Sequence, residues 1–141
     1  MNQVFEFIGN NLLLCAAFAA VLAMVVYYEY TRLASGLKSL SPFAATKLLN
    51  GGEALFLDVR DDKDFKAGHI SNAKHVPLSN MDKFMHELEK YKDKDVVIYC
   101  ESGQQRSQKA GAKLRKNGFT QLHQIAGGLG EWEKANLPTV S

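Results

Sequence analysis

Residues Cys100-Glu101-Ser102-Gly103-Gln104-Gln105-Arg106-Ser107 hold the side chains best suited to chemistry. A thiol must lose its proton to attack an electrophile or carry sulfur, and an ordinary cysteine does so near pH ~8.5. Inward-pointing backbone N–H groups of Ser102 to Arg106 would favour the thiolate, and Gly103 permits the tight turn this needs. A helix starting near Gln104 would direct its positive end at the same point. Arg106 adds a fixed cation whose fork suits an oxyanion such as thiosulfate or phosphate. Glu101 opposes all this if its carboxylate faces the pocket and matters little if it points away. The plainer alternative is that Cys100 is a small buried residue at a strand end; the adjoining glycine, arginine and helix start favour a nucleophile.

The loop needs elements to hold it. Val96-Val97-Ile98-Tyr99 is a short apolar run that predicts a buried strand ending at Cys100. Gln104 to Asn117 predicts a helix stopped by Gly118. Upstream, Ser41-Pro42 reads as N-cap and first helical residue, and Asn50-Gly51-Gly52 as the stop. Ala54 to Val59 predicts a strand buried on both faces, and Arg60 to Ala67 a charged stretch with a helical turn. Ala73 to Leu78 predicts a second short strand. Met81, Phe84, Met85, Leu88 and Tyr91 recur at three and four, marking one face of an amphipathic helix. Gln121 to Ile125 predicts a fourth strand, Gly127-Gly128-Leu129-Gly130 a turn, and Glu131 to Ala135 a closing helix with Trp132 as its core anchor. Strands alternating with helices imply a mainly parallel α/β sheet, with ligands at the carboxyl ends of its strands.

The 141 residues allow one domain of about 100 residues plus an appendage. A net charge of +2 gives no bulk electrostatic case for nucleic acid. The charges are unevenly placed. Only Glu6, Glu29, Arg32 and Lys38 of the 17 basic and 15 acidic residues fall before residue 41. Leu12 to Tyr28 carries no charge, and with Val4, Phe5, Phe7 and Ile8 the apolar span extends over about residues 5–28. Tyr27, Tyr28 and Tyr30 sit where aromatic rings favour a membrane interface. A cleaved signal peptide would show a basic start, and no Lys or Arg precedes residue 32. The expected organisation is a membrane anchor over residues 1–30, a juxtamembrane linker over 31–40 and a domain over 41–141. Arg32, Lys38 and Lys47 after the apolar segment place the N-terminus outside and the domain in the cytoplasm, at a single-pass inner (plasma) membrane site. Cys15 lies in the apolar segment and Cys100 at a strand end, so two thiols are expected rather than a disulfide.

Asp58-Val59-Arg60, Asp64-Phe65, Gly68-His69-Ile70, Ala73, Pro77-Leu78, the Tyr99-Cys100 loop, Gly118-Phe119 and Gly127-Gly128 with Trp132 occur in one order over about residues 41–138. In that order and spacing the chain resembles the rhodanese-like domain family, and with its leader it resembles a bacterial membrane-anchored, single-domain member. The resemblance implies a three-layer α/β fold with a mainly parallel central sheet behind one N-terminal transmembrane helix. It implies a sulfurtransferase in which Cys100 carries a sulfane sulfur as a persulfide to a thiophilic acceptor. Glu101, Ser102, Gly103, Gln104, Gln105 and Arg106 would form its anion cradle. Asp58, Arg60 and His69 match positions that tie loops together. No cofactor is implied; the partners are a small sulfur-donor anion, a thiol acceptor and the bilayer, with room for a membrane-protein partner.

The loop departs from the commoner C-x-x-G-x-R pattern of that family by one residue. Its C-x5-R spacing resembles the rhodanese-fold cell-cycle phosphatases, so a phosphatase or arsenate reductase is the alternative, although no general acid stands out. A non-catalytic module recruiting partners to the membrane is the third reading, and a pure adaptor would need neither Cys100 nor Arg106. His69, His75, His86 and His123 show no metal-ligand spacing with Cys100. Lys109, Lys113 and Lys116 share a helix face, read as solvated, or more sharply as a contact for anionic lipid.

Overall fold

The computed structural model describes residues 1–102 and 105–141, with Ser35 described by its backbone alone. The chain forms two compact units, Met1–Leu33 and Ala34–Ser141.

In the first unit the apolar segment is not one helix. Helix α1 (Asn2–Asn10) ends at Asn11, whose φ of −129° leaves the helical region. Both its backbone N–H and its side-chain amide donate to the Phe7 carbonyl at 3.0 Å, a local alternative to helical bonding. Helix α2 (Leu12–Ser35) then runs unbroken past Tyr30 into the stretch expected as linker. Within it, the 23 residues Leu12–Ala34 are long and apolar enough to cross a membrane.

The second unit is built on a five-stranded parallel sheet in the order β1-β6-β5-β2-β4, from β1 (Lys38–Leu40), β2 (Leu55–Asp58), β4 (Lys74–His75), β5 (Val96–Tyr99) and β6 (Leu122–Ile125). A second, antiparallel pair joins β3 (His69–Ile70) to β7 (Thr139–Val140). Strand β1 corrects the reading of residues 31–40 as linker. It pairs with β6 through Lys38↔His123 to Leu40↔Ile125. Three residues are too few to show periodicity, so only pairing reveals the strand.

Alternation along the central strands sorts side chains into two layers. Leu55, Leu57, Val96, Ile98 and Leu122 face one side, packing on Met81 and Leu88 of α5 (Met81–Leu88) and Ala110 and Leu114 of α6 (Gln105–Lys116). Phe56, Val97, Tyr99 and Ile125 face the other, against Ala45 of α3 (Pro42–Gly51) and Leu129 and Trp132 of α7 (Gly128–Lys134). The expected three layers follow from that alternation. Local signals fall where the residue types place them: Ser41 Oγ accepts from Ala44 N–H at 3.2 Å, Pro42 opens α3, and Gly52 closes it with φ +76°. Trp132 is fully buried and donates from Nε1 to the Pro138 carbonyl at 3.0 Å.

Tyr99 is a fully buried titratable group of the sheet, its hydroxyl accepting from Ile70 N–H at 3.1 Å. Burial, and then the neighbouring Asp58 carboxylate, push its phenol above the ordinary value of 10.0. In the unfolded chain that proton leaves first. Stability from this group is therefore full below pH ~10 and falls as pH rises beyond it. Urea unfolding across that range is expected to show a declining midpoint, with a shallower decline in Tyr99→Phe.

Candidate active site

Cys100 follows directly on β5, at the carboxyl end of the parallel sheet, and is 4% exposed. Its Sγ accepts a hydrogen bond from the buried Ser107 Oγ at 3.3 Å. Ser107 belongs to the first turn of α6, so the positive end of that helix lies beside the sulfur. Neither cysteine is in a disulfide.

A cleft of about 310 Å³ lies at this end, lined by Asp64, Cys100, Glu101, Ser102, Gln105 and Arg106. Five of the seven residues expected at the site thus share one cavity; Gly103 and Gln104 lie outside the described residues. Arg106 reaches across to Asp61, Nη2 to Oδ2 at 3.5 Å, with both side chains largely exposed. Such an exposed pair is worth ~0–1 kcal/mol, so an incoming anion can draw the guanidinium away.

Glu101 does not stand alone against the thiolate. Its Oε2 accepts from Arg60 Nη1 at 2.7 Å. Arg60 is itself buried, holding Asp58 through Nε and Nη2 and donating from Nη2 to the Gly68 carbonyl at 2.6 Å. Burial works against its charge, but the hydrogen bonds to Asp58 and Glu101 outweigh it, so the guanidinium holds its proton more firmly than usual. One cation therefore ties the end of β2, the end of α4 (Asp62–Ala67) and the first residue after Cys100. His69 braces the same region, its Nδ1 2.9 Å from the Phe65 carbonyl and its ring stacked on Phe65. A smaller cleft of about 190 Å³, lined by Arg60, Gly68, Leu129 and Glu133 among others, adjoins the first and shares Asp64 and Glu101 with it. Among the described residues, no three His, Cys, Asp or Glu side chains gather as a metal site.

The Gly127-Gly128 turn proves to be part of the site. Leu129 N–H donates to the Cys100 carbonyl at 2.8 Å and Gly130 N–H to the Glu101 carbonyl at 2.9 Å. Gly128 has φ +63°, and a methyl group there would collide with the Cys100 carbonyl oxygen, which is backbone and cannot swing aside. Gly128→Ala is expected to cost about 2 to 4 kcal/mol, combining left-handed strain with overpacking. Gly52→Ala is the control, with similar φ of +76° but open space around it, and is expected to cost about 1 kcal/mol. Urea denaturation of the two variants checks the difference.

Sequence reasoning placed Ser107 at the end of the chemical stretch without giving it a role, and did not single out Asp64 as a site residue. Ser107 sits seven residues beyond Cys100, a helix-start position with a detectable signal; Asp64 reaches the cleft from a different strand–helix connection, which no local pattern reveals.

A match to the Rhodanese-like domain family spans residues 41–135. The chain belongs to the rhodanese-like domain family. YibN of Escherichia coli strain K12 is 34% identical over 141 residues, covering 99% of this chain and 98% of YibN. YqhL of Bacillus subtilis strain 168 is 32% identical over 124 residues, 87% of this chain and 93% of its own. The solution structure of the rhodanese-like domain of Anabaena Alr3790 superposes with a TM-score of 0.65 at 28% identity, over 73% of this chain and 78% of that one. In this rhodanese-like domain, then, the cysteine loop is clamped from two sides, by Arg60 and by the Gly128 turn.

Proposed function

We propose that the protein is a membrane-tethered sulfurtransferase that carries a sulfane sulfur as a persulfide on Cys100. The observation that carries this reading is that Cys100 and Arg106 line one cleft, with the Ser107 hydroxyl donating to Cys100 Sγ at 3.3 Å. A dianionic donor such as thiosulfate would enter against Arg106, displacing Asp61. The Cys100 thiolate attacks the outer sulfur, the donor's S–S bond breaks, and sulfite leaves with the electron pair. An acceptor thiolate then attacks the outer sulfur of the persulfide. The Cys100 sulfur leaves as thiolate, and the Ser107 hydroxyl donates to it. The only other cysteine, Cys15, lies in the apolar helix, so the acceptor is external.

The tether is the span Leu12–Ala34, and the similarity to YibN runs over it as well as over the domain. Arg32 in the last turn of helix α2, with Lys38 and Lys47 beyond it, favours an inner-membrane orientation with the domain in the cytoplasm. A bilayer, a small sulfur-donor anion and a thiol acceptor are the partners this reading requires, and a membrane-protein partner would have access.

One observation favours a second reading, a phosphatase or arsenate reductase. Asp64 lines the cleft beside Cys100 and Arg106, and supplies the carboxyl group a general acid needs. A single experiment separates the two. Treated with thiosulfate, the intact protein is expected to gain about 32 Da, one sulfur, on the peptide holding Cys100. No such adduct, together with aryl phosphate hydrolysis that Asp64→Asn suppresses, would replace sulfur transfer by phosphate chemistry. Neither adduct nor hydrolysis would leave a recruiting module.

A further inference from the structure

We propose that the end of the sheet opposite the cleft is a docking face for anionic lipid headgroups, holding Cys100 away from the bilayer. The inference rests on the membrane-anchor reading and adds an orientation to it. Within the second unit, the segment after the apolar span is packed against α6. Gly36 takes φ +64°, and a methyl group there would collide with the Arg115 guanidinium; a side chain at Gly111 would strike Leu37. From Ala34 to Leu37 the chain reaches at most about 11 Å. Arg115 and α6 therefore pack on the residues that directly follow the span.

The last turn of α6 is part of a basic edge. Strands β1, β2, β5 and β6 are parallel, so Lys38, Leu55, Val96 and Leu122 begin at one end. The turn before β5 and the end of α6 close the same end, with Lys92 lying over Gly118. Lys38, Lys92, Lys94, Arg115 and Lys116 gather there, all exposed except the half-buried Lys92. Glu53, Asp93 and Asp95 share this end, but Asp95 Oδ1 is 2.9 Å from His123 Nε2. Lys113, from the helix face singled out in the sequence, turns instead to Asp82 at 3.6 Å. At the opposite end Asp64, Glu101 and Glu133 line the clefts together with Arg60 and Arg106, and Asp61, Asp62, Glu101 and Glu131 are each paired with a basic side chain, Arg106, Lys66, Arg60 and Lys134. Acidic and basic side chains thus nearly balance at the cleft end, while the end that starts the strands keeps a basic surplus. An anionic surface attracts the basic end, and such attraction fades within a Debye length and with added salt. The cleft then faces water, where a soluble acceptor can reach it.

Lysine acetylation of the full chain, read by mass spectrometry, tests this in nanodiscs of phosphatidylcholine with and without phosphatidylglycerol. Labelling of Lys38, Lys92 and Lys116 is expected to drop several-fold in the anionic discs and to recover in high salt, while Lys63 beside the cleft stays unchanged. Lys94→Glu with Lys116→Glu is expected to restore labelling at Lys38 and Lys92. Equal labelling in both discs, with the protein still embedded, overturns the docking face and spares the anchor. Protection of Lys63 in place of Lys116 overturns the orientation. Failure to enter either disc overturns the anchor and the docking face together.

Discussion

Cys100→Ser is expected to lower sulfur transfer from thiosulfate to a dithiol by at least ~1000-fold, because the reaction has no other nucleophile to form the persulfide. Serine keeps the size and a hydrogen bond to Ser107, so stability is expected to stay within about 1 kcal/mol of the parent. That pairing of results separates a catalytic role from the plainer one of a small buried residue, in which activity would survive. Cys15→Ser supplies the internal comparison and is expected to retain full turnover, since Cys15 belongs to the apolar helix α2. Sulfite release, followed with time in both variants, is the measurement. Turnover persisting in Cys100→Ser would remove the persulfide from the mechanism.

The largest stability effect is expected at Arg60. Arg60→Met strips the partner from Asp58, a carboxylate with no exposed surface, and frees Glu101 from its tie. Leaving one member of a buried ion pair uncompensated costs about 3–5 kcal/mol. A double variant, Asp58→Leu with Arg60→Met, leaves no buried charge and is expected to recover a large part of that loss. Its activity should nonetheless stay low, because neither residue is then present to hold Glu101 and the loop after Cys100. Stability from urea unfolding, set beside sulfur-transfer rates for the three variants, checks both statements. Full recovery of activity with stability would mean that the Arg60–Glu101 bond does not position the loop.

Much of this molecule is written in short-range pattern. The apolar runs at 55–57 and 96–99 are strands because residues that alternate across a parallel sheet are buried on both faces. Ser41, Pro42 and Gly52 bound α3 through bonds that reach three residues at most. The spacing of Met81, Phe84, Met85 and Leu88 needs only the helical period to show which face packs. By the same logic, the position of Cys100 at a strand end, before a helix, was legible without a structure. Other features had weaker signals. A break at Asn11 depends on one side chain competing for a carbonyl, and β1 is too short to carry a period.

The sequence by itself thus determined the central strands, the helices that pack on them and the place of the nucleophile, all set by neighbours within a turn or a strand. Tertiary structure alone decided how the loop is held. Arg60 meets Glu101 across 41 residues, and the Gly128 turn approaches Cys100 only because β6 lies beside β5. Asp64 enters the cleft from the connection after β2, the other neighbour of β5. These contacts depend on strand order, and strand order is a property of the whole packed chain rather than of any window within it. The physical reason is that buried charges and positive-φ turns are tolerated only where distant backbone supplies their partners.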